Sequence, residues 1–138
     1  MTTDTFPPNS SMPGESRRQR ARFSSQDEMR WPVKLFFADR GYEIAHDEYY
    51  THGYHVDMLF VNSANNRTVA VELSIADPRR AFEQALAYGL FADQSYVAIP
   101  DTLAASIDVE LFRISRVGLI AVSPYHRCRI VIPAGITF

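Results

Sequence analysis

The hydrophobic period of this chain changes from helical to alternating at Tyr42, and three strand-like runs then follow with only turns between them. Met29, Val33, Phe36 and Phe37 recur at helical intervals up to Gly41. From Tyr42 the period is two: a strand near 42–49, a turn around Thr51-His52-Gly53, and a strand from Tyr54 to Val61. Asn62-Ser63-Ala64-Asn65-Asn66 is dense turn chemistry and leads into a strand over 67–75. Strands joined this closely pair as an antiparallel meander, because a parallel pair needs a long crossover.

The second half alternates helix and strand. Asp77 followed by Pro78 is an N-cap with proline at the first helical position, and Phe82, Ala85, Leu86 and Gly89 form an apolar stripe behind it. Ser95 to Ile99 reads as a buried strand closed by Pro100, 104–116 as a helix with Ile107, Leu111 and Ile114 inward, and Leu119 to Val122 as another strand. A helix between two buried strands implies a parallel crossover. Arg127 to Ile132 adds a last strand. At the front, Ser25-Gln26-Asp27-Glu28 has the spacing of a capping box, and Pro32 either starts the first helix or kinks it. The expected fold class is α/β: one domain with a central mixed β-sheet flanked by helices, in the order α-β-β-β-α-β-α-β.

With 138 residues and 46% hydrophobic content, the chain has material for one core, assigned to 25–138. Residues 1–24, rich in proline and hydroxyl residues, are expected to form a flexible basic tail. Its Arg17, Arg18, Arg20 and Arg22 are candidates for lying along phosphates or an acidic partner surface, with a solvated tail as the plain alternative. The formal net charge is −2, so nucleic-acid contact must come from local basic clusters and not from bulk attraction. The single cysteine, Cys128, has no partner within the chain, and no apolar run is long enough for a signal peptide or a membrane span. A cytoplasmic location, with no membrane contact, is expected.

Two of the strands carry an acid amid apolar residues. Strict alternation places Val56, Met58 and Phe60 on one side and His55, Asp57 and Leu59 on the other. In the next strand Val69, Val71, Leu73 and Ile75 oppose Ala70, Glu72 and Ser74. If the two apolar faces share one core, Asp57, Glu72, Ser74 and His55 converge on the opposite face. Two neighbouring carboxylates raise each other's pKa unless a cation lies between them, and Mg²⁺ or Mn²⁺ bound by oxygen ligands resolves that conflict. The alternatives are a solvated face, or pairing with Arg79 or Arg80. His46, His52, His55 and Asp57 also suggest zinc, but His46 and His52 flank a turn and no further close ligand completes a tetrahedral set.

Taken in this order, these residues resemble the PD-(D/E)XK nuclease superfamily, the restriction-endonuclease-like fold. Asp57 matches the family's first acid, Glu72 the acid of the Glu-x-Lys element, and Ser74 stands at the lysine position. Gln84-Ala85-Leu86-Ala87-Tyr88 is similar to the Gln-x-x-x-Tyr element of the recombination-exonuclease branch, and Glu28 matches an acid that some members carry on the first helix. The resemblance spans roughly residues 25–123.

What it implies is a Mg²⁺ (or Mn²⁺) held by Asp57, Glu72 and the main-chain carbonyl of Leu73, with hydrolysis of phosphodiester bonds in DNA more than in RNA. Ser74 is a poor base at neutral pH, so a neighbouring group must supply the missing function, the candidates being Arg79, Arg80 and Gln84. Arg80, Gln84 and Tyr88 fall on one helical stripe and are expected to reach a phosphate together. For Gln84 and Tyr88 the alternative is a half-buried position bonded to the sheet.

Two further functions compete with a nuclease: a catalytically inactive member of the fold that binds nucleic acid or protein as an accessory subunit, and a structural component of a larger assembly or homodimer.

Overall fold

The computed structural model describes residues 23–125 and 127–136. Helix α1 (Arg30–Ala38) follows a 3₁₀ turn, Gln26–Met29. Strands β1 (Tyr42–Thr51), β2 (Tyr54–Asn62) and β3 (Arg67–Leu73) come next, then helix α2 (Pro78–Ala87), strand β4 (Gln94–Pro100), helix α3 (Val109–Ser115) and strands β5 (Gly118–Ser123) and β6 (Arg127–Ile132). All six strands form one sheet in chain order, β1 to β6. The pairs β1/β2, β2/β3 and β5/β6 are antiparallel, while β3/β4 and β4/β5 are parallel. The chain is therefore a single α/β domain with a mixed sheet. The expected tail lies outside the described residues except for Phe23, which packs against the core, and Ser24.

Local chemistry explains the joints. Pro32 is the third residue of α1, within the first turn, where the backbone N–H has no intrahelical acceptor, so its missing hydrogen costs nothing. At the expected capping box the Glu28 carboxylate accepts chiefly from the N–H and the hydroxyl of Ser24, with a smaller contribution from the Ser25 N–H. Those bonds lower the pKa of Glu28 and commit it to the helix entrance. At the β1–β2 hairpin His52 (φ 53°) and Gly53 (φ 80°) are both left-handed, as a two-residue turn matched to strand twist requires. Asp77 caps α2 by accepting from the Arg80 N–H (3.1 Å), with Pro78 at the first position as expected.

The sheet is covered on both faces. Under α1, Met29, Val33 and Phe37 pack on Met58, Phe60 and Val71, with Phe37 and Phe60 stacked at 4.6 Å. Under α2 and α3, Phe82, Ala85 and Phe112 pack on Leu59, Val97 and Leu119. Each fully buried Val, Leu, Met or Phe side chain among these contributes roughly 1.5–3 kcal/mol.

This two-sided burial corrects the expectation that the acids converge on an open face opposite a single core. The strand alternation is also interrupted at Asp57: Val56 packs with Leu59 under α2, while Met58 and Phe60 lie under α1. Two helical stripes are corrected as well. Leu86 is 49% exposed and the inward face of α2 is Ala81, Phe82 and Ala85. The 104–116 segment is a 3₁₀ turn (Asp101–Ser106) followed by the short α3, which buries Phe112 and leaves Ile114 72% exposed.

Candidate functional site

Because β2 and β3 are antiparallel, the start of one lies beside the end of the other. That places His55 and Asp57 next to Glu72, Leu73 and Ser74 at one edge of the core, where α2 begins. A cleft of about 590 Å³ opens there, and its lining includes Asp57, Glu72, Leu73, Ser74, Arg80 and Gln84. This volume is in the range of small-ligand sites. No helix among the described residues is long and apolar enough to cross a membrane.

Asp57 is 3% exposed. Its Oδ2 accepts the Leu73 N–H at 2.8 Å, which fixes the carboxylate against the end of β3. Its Oδ1 lies 3.9 Å from Nη2 of Arg30 and 4.0 Å from Nδ1 of His55. Arg30 reaches over from α1, donating to the Asp57 carbonyl (3.1 Å), to Asp47 (2.7 Å) and to Glu48, and Lys34 holds the other oxygen of Asp47 at 2.6 Å.

Glu72 is half-buried, and its pKa is pushed up to about 7 by burial first and by the negative charge of Asp57 second; Arg80 and the Tyr88 hydrogen bond act against the rise. The Tyr88 hydroxyl lies 2.5 Å from Glu72 Oε1 and 2.8 Å from the His55 carbonyl oxygen. One hydroxyl proton serves one acceptor. When Glu72 is protonated it can donate to the Tyr88 oxygen, which frees the phenol to donate to His55. When Glu72 is ionised the phenol donates to Glu72 instead. Burial and Glu72 raise the Tyr88 pKa well above its usual value, so the phenol stays neutral.

The expected Asp57–Glu72 pair is thus brought together, with the Leu73 N–H holding the Asp57 carboxylate. Arg80, exposed on α2, and Gln84, one turn on, line the cleft. Ser74 is 7% exposed, and its hydroxyl accepts the Asp77 N–H at 3.1 Å, holding the turn into α2. Arg79 is not among the cleft-lining residues and pairs with Glu83 at 3.7 Å.

The expectation that Tyr88 reaches a phosphate is corrected: it is fully buried, and its hydroxyl serves Glu72. Arg17, Arg18, Arg20 and Arg22 lie outside the described residues. His46 stacks on Tyr49 and His52 on Phe91, so neither joins the acids.

Sequence reading missed Arg30, Asp47 and Glu48. Glu48 faces Asp57 only through the β1/β2 register, in which Asp47 pairs with Met58 and Tyr49 with Val56. Period alone carries no register, and Arg30 reads as an ordinary helix arginine.

The donor set suits a hard dication. Two carboxylates meet at a solvent-open cleft, and a cation between them would favour the ionised form of Glu72, which burial first and the charge of Asp57 second disfavour.

No protein-family model matches the chain, and no curated protein matches it. Among solved structures it is similar to a protein of unknown function from Silicibacter pomeroyi, at 17% identity and a TM-score of 0.63, over 83% of this chain and 74% of that one. At that identity the likeness is one of fold.

Proposed function

We propose that the protein is a divalent-metal-dependent nuclease of the PD-(D/E)XK type, hydrolysing phosphodiester bonds of DNA, with β6 added to a restriction-endonuclease-like core of order α-β-β-β-α-β-α-β. The observation that carries this reading is the meeting of Asp57 and Glu72 on adjacent strand ends in a cleft beside the first turns of α2.

Asp57, Glu72 and the Leu73 carbonyl would hold Mg²⁺ or Mn²⁺. When bound, such an ion supplies an activated water and offsets charge developing on the phosphate. The remaining roles belong to the chain. The Leu73 N–H fixes the Asp57 carboxylate, and Tyr88 orients Glu72. Arg80 at the cleft wall offers a permanent cation to the phosphate, and Gln84 offers amide donors on the same side of α2. Arginine cannot act as a base, so none of these groups replaces the lysine as a proton acceptor.

A second reading is favoured by Ser74. Its hydroxyl is engaged by Asp77, so the lysine position has become part of the turn. That suits a catalytically inactive nuclease-fold protein which binds nucleic acid or a protein partner as an accessory subunit.

The test is cleavage of single- and double-stranded DNA with Mg²⁺ or Mn²⁺ by the parent, Glu72→Ala and Asp57→Asn. Asparagine keeps an acceptor for the Leu73 N–H, where alanine would leave that buried donor unpaired at about 1–3 kcal/mol. Metal-dependent cleavage that falls at least a hundredfold in both variants supports the nuclease. Variants that cut like the parent exclude this site. DNA binding without cleavage in the parent favours the accessory reading.

A further inference from the structure

The carboxyl ends of the parallel strands carry a second cavity, beside the acidic cleft, that the nuclease reading does not use. It measures about 370 Å³, and its lining includes Phe23, Ile75, Pro100, Asp101, Leu103 and Pro124. Pro100 closes β4 and Pro124 follows directly on β5, whereas the cleft lies at the end of β3. Neighbouring strands stand about 4.8 Å apart, so this slot lies roughly one to two strand spacings from Glu72. Ile75 lines both cavities, which makes them neighbours along one sheet end. In open α/β sheets that end is where ligands bind.

The chemistry of the slot differs from that of the cleft. Its walls are mostly apolar, and half-buried Phe23 supplies an aromatic ring. Its charged group is Asp101, whose carboxylate has no hydrogen bond or ion pair among the described residues. A carboxylate turns phosphate away but accepts from the amino group of a base edge, as from N4 of cytosine. A ring beside an apolar wall suits the face of a base. Bases in a duplex are stacked and paired inside it, so only an unpaired one can enter.

Positive charge flanks the slot. Arg17, Arg18, Arg20 and Arg22 directly precede Phe23 in the chain. Past Pro124, Tyr125 is 74% exposed and leads to Arg127 and Arg129, both exposed on the edge strand β6. Arg127 stands opposite Ser123 in the β5/β6 register, at the same sheet end as the slot. Cations on both sides of an apolar hollow match a single strand whose phosphates follow the rim while a base turns inward.

We infer that the slot takes an unpaired nucleobase of the strand whose phosphate lies in the cleft, so that the substrate is single-stranded DNA. The inference rests on the nuclease reading proposed above and names the form of nucleic acid that its site accepts.

The test is fluorescence anisotropy of a labelled mixed-sequence DNA strand and of its duplex, with Ca²⁺ present, comparing the full-length parent with Phe23→Leu and Arg80→Ala. The parent is expected to bind the strand at least tenfold more tightly than the duplex. Phe23→Leu keeps the apolar volume and removes the aromatic face, so it should weaken the strand about tenfold and the duplex less than threefold. Arg80→Ala, at the cleft wall, should weaken both forms alike. Thermal melting reports whether each variant is folded. A strand carrying 5-iodouracil, irradiated on the parent, should crosslink at Phe23, and the same base within a duplex should not; this measurement decides the matter should Phe23→Leu fail to fold. A duplex bound as tightly as the strand, a folded Phe23→Leu that binds like the parent, or crosslinks confined to residues outside the slot each overturn this inference and leave the cleft standing. A parent that binds neither form overturns the inference together with the nuclease reading on which it rests.

Discussion

Glu72 shows how one residue turns local burial into measurable behaviour. Its pKa rises from 4.5 to about 7, mainly through burial and then through Asp57. Between those values the folded chain holds a proton that the unfolded chain has released, so this residue makes stability fall as pH rises through that window and level off above it. Glu72→Gln should flatten that part of the profile and stabilise the metal-free protein at pH 8 by on the order of 1–2 kcal/mol, a figure discounted for partial exposure. Urea midpoints of parent and variant at pH 4.5, 6 and 8 would check this, and curves that stay parallel would contradict it. Asp57 and Glu72 were legible because an acid inside an apolar strand stands out in any reading. The burial that makes Glu72 titrate near neutrality was not, since it depends on Tyr88 from the end of the next helix folding back beneath the strand.

Elements were legible where their signals are local. Asp77-Pro78 starts a helix in the sequence and in the structure, and the Tyr54, Arg67 and Arg127 strand starts follow from turn chemistry and period. The misreadings lie where a helix was assumed to be continuous. Ile107 and Leu111 do pack against the core as expected, but Ile114 does not, because the chain is extended at Ile107 and restarts at Asp108, which caps α3 through the Leu111 N–H. The phase then belongs to Phe112. Packing between elements sets other limits: a Cβ on Gly118 of β5 would stand 2.3 Å from the Tyr96 ring of β4 and 2.8 Å from the Ala134 N–H. Gly118→Ala should therefore cost about 1–3 kcal/mol, as overpacking does, even though alanine suits a strand better than glycine. Chemical denaturation measures the cost, and an unchanged midpoint would mean that β4 and β5 have room to separate.

For the whole molecule the net charge of −2 means that the DNA binding proposed above must come from local basic clusters. Four arginines between 17 and 22 precede the folded domain, so deleting residues 1–22 should lower the slope of log affinity for DNA against log salt by up to about 3–4, at roughly 0.9 for each phosphate no longer neutralised. Fluorescence anisotropy across a salt series would show it, and an identical slope would remove that segment from the interface. The α/β class, the early antiparallel strands and the two acids with Ser74 after them were determined by the sequence alone, because periodicity, turn residues and caps act over a few residues. Only the tertiary structure decided that both faces of the sheet are buried, that the acids therefore meet at strand ends in a cleft, and that Arg30 and Glu48 gather around Asp57 beside His55. Those outcomes depend on cross-strand register and on which helix covers which face, and both are fixed by interactions between residues far apart in the chain.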